Sequence, residues 1–419
     1  MEYKDVLWRF VPDELREEKV NLSVFPNEAS YYEASDKDRG EQVIKVRLPL
    51  LELIGGKDYQ TKLSQHRITA SEALAAGRKL WGALPEMITA PIREHSLDDP
   101  PLRIKISSPA MRVMDLPWEW LADEQGKQVA LSPNLRLVRS VPLRFPIPHL
   151  TVRLPVRVLI VLTNPKDERL LDPVREVDAI KQSLRPPAYE MQICPEPSFK
   201  KLREMLHDFL PHALHYIGHA GLDNGEGNII LHEEGDRNYW LCSAELLKVL
   251  PSSVRLICLS ACFTAPNYQI LGLSHLAHSP REVNLPTMVT NQYFLEERSI
   301  RTFWTEFYST LITAGGNVNE ALHSARRLAA EQCDPAFADW ASFSLVLRDL
   351  TGEALRIVTE HEEDLESIQA NELQAQFAAS LANELAQQAQ VKGAATPEGI
   401  RERLEVETKR AADRLKSVK

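Results

Sequence analysis

The chain has no apolar run long enough to span a bilayer, no basic-then-apolar leader, few cysteines and no excess of positive charge. Each absence removes a class of function. The opening segment MEYKDVLWRFVPDELREE is charged throughout, unlike a secretion signal, so a cytoplasmic protein with no membrane partner is expected. Five cysteines, Cys194, Cys242, Cys258, Cys262 and Cys333, are unevenly spaced and form neither a disulfide framework nor a CxxC zinc module. Reduced thiols are their natural state. A formal net charge of −10 argues against nucleic acid as a partner. No GxxxxGK[ST] or GxGxxG turn follows any apolar run, so a nucleotide-binding module has no support and no cofactor is expected.

What is present is an ordinary globular composition, 44% hydrophobic over 419 residues, enough for more than one core. Residues 42–50 and 102–107 alternate apolar and polar, and 69–88 look helical, which predicts an N-terminal α/β region over 1–150 whose sheet has one solvated face. Pro142, Pro146 and Pro148 mark a junction. Residues 151–357 then read as strand, helix, strand, helix, the rhythm of a mainly parallel sheet flanked by helices. Asp172-Pro173, Ser198 and Ser243 are the expected helix starts, and NIIL with NYWL the expected hairpin. Over 358–419 the pattern becomes a helical appendage, with Leu373, Phe377, Leu381 and Leu385 on one stripe and a second helix after Pro397. Its apolar faces pack back on the domain or dock a sensor or regulatory protein.

Two residues concentrate the chemistry. His219 in ALHYIGHAG and Cys262 in RLICLSAC each sit just past a short apolar run that reads as a covered parallel strand, and parallel sheets place ligands at the carboxyl ends of their strands. Neighbouring strands would join them across 43 residues of sequence. An imidazole can take the proton of a thiol that is otherwise mostly protonated at neutral pH, so the pair reads as a base and a nucleophile. A lone strand-end cysteine is more often a small buried hydrophobe, which is the reading given to Cys258. His212, His215 and His219 do not read as a metal site, because 212 and 215 point to opposite faces of an extended strand and no further ligand pattern completes it.

At these residues the chain resembles the CHAT family of caspase-like cysteine peptidases, related to separases and caspases. The resemblance covers LPWEWL, LRLVRSV, VRVLIVLTNP, ALHYIGHAG, RLICLSAC, PTMVTNQY, EALHSARR and WASFSLVL, taken in order and spacing. It implies a caspase-like α/β fold, a His219–Cys262 dyad, peptide-bond hydrolysis, a protein substrate, and service in bacterial defence or regulated cell death. It also implies an oxyanion held by the N–H groups of Cys262 and Ala220, where Ala220 replaces a common glycine and therefore needs a negative φ. The segment from Phe263 to Asn284, with Pro266 and Pro280, departs from the family pattern. Candidate substrate-binding residues are the acids Asp167, Asp172 and Asp223, which would favour a basic side chain before the cut, or Asn291 and Gln292, which would line a neutral pocket. Asp172 has a competing role as an N-cap. The alternative to an enzyme is a catalytically silent scaffold with the same fold.

Overall fold

In the computed structural model the described residues fall within 3–358, with 26–43, 50–61, 141–149, 165–172 and 264–286 and some shorter stretches left outside, as is all of 359–419. The C-terminal helices, Asp167, Asp172 and most of the segment after Phe263 therefore lie outside the described residues. Residues Met1–Ile357 form one compact unit. Among the described residues no helix is long and apolar enough to cross a membrane.

The strands are β1 (Lys4–Asp13), β2 (Arg16–Phe25), β3 (Ile44–Arg47), β4 (Leu102–Ser107), β5 (Leu135–Ser140), β6 (Leu150–Val152), β7 (Val156–Leu162), β8 (Tyr189–Pro195), β9 (Ala213–Asp223), β10 (Glu226–Glu233), β11 (Arg237–Cys242), β12 (Leu256–Phe263), β13 (Thr287–Asn291), β14 (Phe343–Leu347) and β15 (Leu355–Ile357). Thirteen of them share one sheet in the order β11-β10-β9-β12-β13-β14-β5-β4-β1-β2-β3, with β7 also paired to β9 and β8 to β7. The pairings β8–β7, β7–β9, β9–β12 and β12–β13 are parallel, as are β14–β5, β5–β4 and β4–β1. The sheet is thus mixed but mostly parallel, as the strand-helix rhythm predicts. Residues from both sides of the Pro142–Pro148 segment contribute to it.

One expectation is overturned in the N-terminal region. The alternation LRIKIS predicts a solvated face, yet β4 is buried at every position, including Arg103 and Lys105. Their charges are answered by Asp5 of the neighbouring strand, which accepts two hydrogen bonds from Arg103 at 2.8 Å and stands 3.4 Å from the Lys105 ammonium. A buried cation is tolerated only with such a partner. In β4 period two reported a polar face but not a wet one, whereas in β3 Lys45 and Arg47 are exposed and Val46 is buried, as the alternation predicts.

The helices are α1 (Ala70–Gly82), α2 (Glu86–Glu94), α3 (Met111–Met114), α4 (Pro173–Ser183), α5 (Phe199–Phe209), α6 (Ser243–Val249), α7 (Glu297–Thr313) and α8 (Val318–Gln332). The helical pattern over 69–88 is two helices, the first held by a reciprocal Thr69–Glu72 capping box and the second opened by Pro85, which has no N–H to continue the first. Ser198 caps α5 as predicted, accepting from the N–H of Lys201. Ser243 does not cap α6: Cys242 occupies the N-cap and Ser243 is already helical. Helix α7 buries Ile300, Phe303, Trp304, Phe307, Tyr308 and Leu311, a spacing of three and four that presses one apolar stripe on the sheet.

Sequence alternation along β9 divides the two cores. Ala213 and Ile217 join the larger core with the α7 aromatics, whereas Leu214, Tyr216 and Ala220 join the second core with Leu202 and Leu206 of α5.

Candidate active site

The register between β9 and β12 decides where the predicted pair stands. These parallel strands match Leu256 with Ala213 and keep step to the end, setting Cys262 opposite His219 and Phe263 opposite Ala220. Neighbouring strands lie about 4.8 Å apart, so the main chains of the two residues run side by side. Neither lies beyond its strand as predicted: β9 continues to Asp223 and β12 to Phe263. The pair nonetheless marks the carboxyl rim of the parallel sheet, because backbone pairing of β7 with β9 stops at Ile217 and that of β13 with β12 at Leu259. Beyond the rim β9 turns to antiparallel pairing with β10. His219 is fully buried.

Side chains complete what the flanking strands leave off. On the outer edge of β9, the Tyr216 hydroxyl donates to the His219 carbonyl at 2.7 Å, lies 2.9 Å from both the Thr163 hydroxyl and the Ile230 carbonyl, and accepts the Ile230 N–H at 3.2 Å. The tyrosine reaches back along its own strand only because residue 218 is glycine, since a Cβ there would collide with the Tyr216 and Thr163 oxygens. On the outer edge of β12, the Asn291 side chain accepts the Ala261 N–H and donates to the Ala261 carbonyl, both at 3.1 Å, and also donates to the Tyr293 carbonyl at 3.2 Å. A carboxamide has the same donor and acceptor pair as a peptide, so Asn291 acts as one more rung of the ladder.

Ala220 lies in β9, buried, and is not among the positive-φ residues, so its side chain costs no backbone strain. Asn291 is buried and its amide is committed to Ala261 and Tyr293. Gln292 is drawn into a buried ionic cluster. Its amide donates to Glu119 at 2.9 Å and accepts from Arg139 at 2.8 Å, while Arg139 also binds Glu119 at 2.5 Å and Arg326 stands 3.6 Å from the same carboxylate. Arg326 in turn donates to the Phe343 carbonyl. Glu119, Arg139, Gln292, Arg326 and Phe343 come from five of the segments that carry the family resemblance, so those motifs converge on one buried charge cluster at the end of β13, the strand next to β12. Asp223 falls in β9, opposite Glu226.

A second histidine and cysteine lie deeper on the same strands, Cys258 opposite His215. His215 Nδ1 is 2.8 Å from the Tyr308 hydroxyl, its ring meets Trp304 edge-on at 4.6 Å, and Nε2 is 3.8 Å from Glu176. Burial lowers its pKa, against the opposing pull of Glu176. Burial also pushes the Cys258 thiol up to about 12, with a Tyr308 hydrogen bond acting the other way. His212 accepts the Arg157 N–H through Nδ1 and is lowered to about 4 by burial and Arg157. Among the described residues no three His, Cys, Asp or Glu side chains group as metal ligands.

A model of the CHAT domain matches residues 75–348, about two thirds of the chain. The chain belongs to the CHAT family. This caspase-like cysteine peptidase family is the one its residues resemble. No curated protein matches the chain. Among solved structures it is similar to separase in the Saccharomyces cerevisiae separase–securin complex, at 17% identity and TM-score 0.36, over 62% of this chain and 16% of that one. It is also similar to the Arg-specific cysteine proteinase gingipain R, at 9% identity and TM-score 0.41, over 71% of this chain and 76% of that one. The complex of Porphyromonas gingivalis RgpB pro- and mature domains gives 10% identity and TM-score 0.42, over 71% and 78%. This CHAT chain thus spans about a sixth of the length of the separase it matches.

Proposed function

We propose that this CHAT protein is a cysteine endopeptidase acting on a specific protein substrate in defence or regulated cell death. The observation that carries the reading is the register that sets Cys262 beside His219 at the carboxyl rim of a parallel sheet. In the proposed reaction the Cys262 thiol passes its proton to the His219 imidazole, and sulfur bonds to the scissile carbonyl carbon. The N–H groups of Cys262 and Ala220 hold the oxyanion. The C–N bond then breaks as the imidazolium returns the proton to the leaving amine. Water, deprotonated by His219, adds to the thioester and expels the thiol, freeing the acid product. The acids Asp167, Asp172 and Asp223 remain the candidates for selecting a basic side chain, since the amides of Asn291 and Gln292 have partners inside the protein.

The same register supports latency. Ladder pairing continues through His219 and Cys262 to Ala220 and Phe263, so the N–H groups needed for an oxyanion lie where two strands are joined. Low basal activity follows, lifted by a partner or signal that parts the strand ends, for which the helices predicted over 358–419 are the candidate receiver. Coexpression of the wild type and Cys262→Ala with the products of neighbouring genes tests the function: a cleaved band lost in Cys262→Ala is the expected result, and a band retained overturns it.

The full burial of His219 favours a second reading, a silent scaffold that binds partners through the caspase-like fold. Cysteine-directed electrophile labelling of residue 262 in the presence of the partner would exclude it.

A further inference from the structure

We propose that Tyr216 and Asn291 are positioning residues that jointly aim the two peptide units on which the peptidase reading depends. The inference rests on that reading and adds the means by which the rim is held. A peptide unit is planar and trans, so fixing its carbonyl fixes the opposite direction of its N–H. The carbonyl of His219 belongs to the unit whose N–H is that of Ala220, and the carbonyl of Ala261 to the unit whose N–H is that of Cys262. Tyr216 holds the first carbonyl at 2.7 Å and Asn291 the second at 3.1 Å.

The two grips come from opposite outer edges of the β9–β12 pair. The His219 carbonyl follows that of Ile217, which accepts the Thr163 N–H on the β7 side, by two residues. The Ala261 groups likewise follow Leu259, the last residue of β12 matched to β13. Both proposed oxyanion N–H groups therefore face inward, toward the partner strand of the ladder that a signal would have to part, and a hydrogen bond to each carbonyl polarises the N–H at the other end of the same unit. The grips themselves are braced. Tyr216 is fully buried with three further polar partners, and Asn291 has a third bond to Tyr293. Neither side chain is called on to touch substrate; each acts through the backbone.

The test uses full-length protein and iodoacetamide, reading alkylation at Cys262 by peptide mass spectrometry as a function of pH. His219→Ala defines the rate without the base. Alkylation forms no oxyanion and reads only how the thiol and imidazole are placed. The gripped units are the peptide bonds of His219 and Cys262 themselves. Loosening either in Tyr216→Phe or Asn291→Leu is therefore expected to slow Cys262 at neutral pH roughly tenfold toward His219→Ala, small misplacements of reacting groups being costly. The inflection of the profile should move with it, which a change confined to stability would not produce. Thermal melts identify folded variants, and Asn291→Ser replaces Asn291→Leu if the latter does not fold. Folded Tyr216→Phe and Asn291 variants that keep the wild-type profile, while His219→Ala slows, overturn the positioning role and leave the dyad standing. Equal profiles for wild type and His219→Ala overturn the dyad and this inference with it.

Discussion

The interior and the rim of the β9–β12 pair carry the same two residue types at matched register, His215 beside Cys258 and His219 beside Cys262. At the interior level Tyr308, Trp304 and Glu176 close around the histidine, and burial opposes charge on both members. An imidazole kept neutral next to a thiol pushed to about 12 cannot supply a thiolate at neutral pH. Four residues further on, the flanking backbones have ended and single side chains hold the outer edges. The same pair of residue types is thus met by two different surroundings, and the proposed function falls on the pair at the rim.

The comparison breaks most visibly in chemical reactivity. Iodoacetamide should label Cys262 in the native protein while Cys258 reacts only after denaturation, a contrast read by mass spectrometry of the two peptides. Native labelling of Cys258 at a comparable rate would erase the distinction. A smaller effect is expected from Tyr308→Phe, which strips the hydroxyl from His215 and Cys258 and leaves buried polar groups short of a partner. About 1–3 kcal/mol of stability should be lost in denaturant melts, with native alkylation of Cys262 unaffected. The smallest effect is in pH dependence, and its sign follows from both members being held neutral. His215 titrates below its ordinary value of 6.5 when folded, so its contribution is complete above that pH and declines as pH falls below it. Cys258 titrates at about 12 when folded against 9.0 unperturbed, so its contribution declines as pH rises from 9.0 toward 12. A melting temperature sloping at both ends is expected, and Cys258→Ala should make the alkaline slope shallower, with Cys194 and the buried tyrosines still contributing to it, and leave the acid slope unchanged.

The strands of the rim were legible because ALHYI and VRLICLS are short apolar runs, and the pairing of His219 with Cys262 followed from the family's order of motifs. The exact placement was not, since a strand that continues past its buried run differs from one that stops there only in what it pairs with, here β10. Tyr216 reads in sequence as one more core aromatic, and its hydroxyl acquires a role only because Gly218 lets it fold back on its own strand. Asn291 reads in sequence as a pocket candidate; its use as a ladder rung depends on β13 lying next to β12. Glu119, Arg139 and Arg326 are ordinary charges until packing brings three distant segments together. Strands β1 and β2 escaped notice because their charged residues broke the apolar pattern, although Leu7, Trp8, Phe10 and Leu22 are buried.

The junction of β13 with β14 is antiparallel, whereas the runs next to it, β7-β9-β12-β13 on one side and β14-β5-β4-β1 on the other, are each parallel. Chain direction therefore reverses once across the middle of the sheet. Strands β14, β5, β4 and β1 thus end at the edge of the sheet remote from the ends of β12 and β13. On the proposed reading the N-terminal strands meet the rim sideways, through the buried charges of Glu119, Arg139 and Arg326, and not through the ends at which they stop.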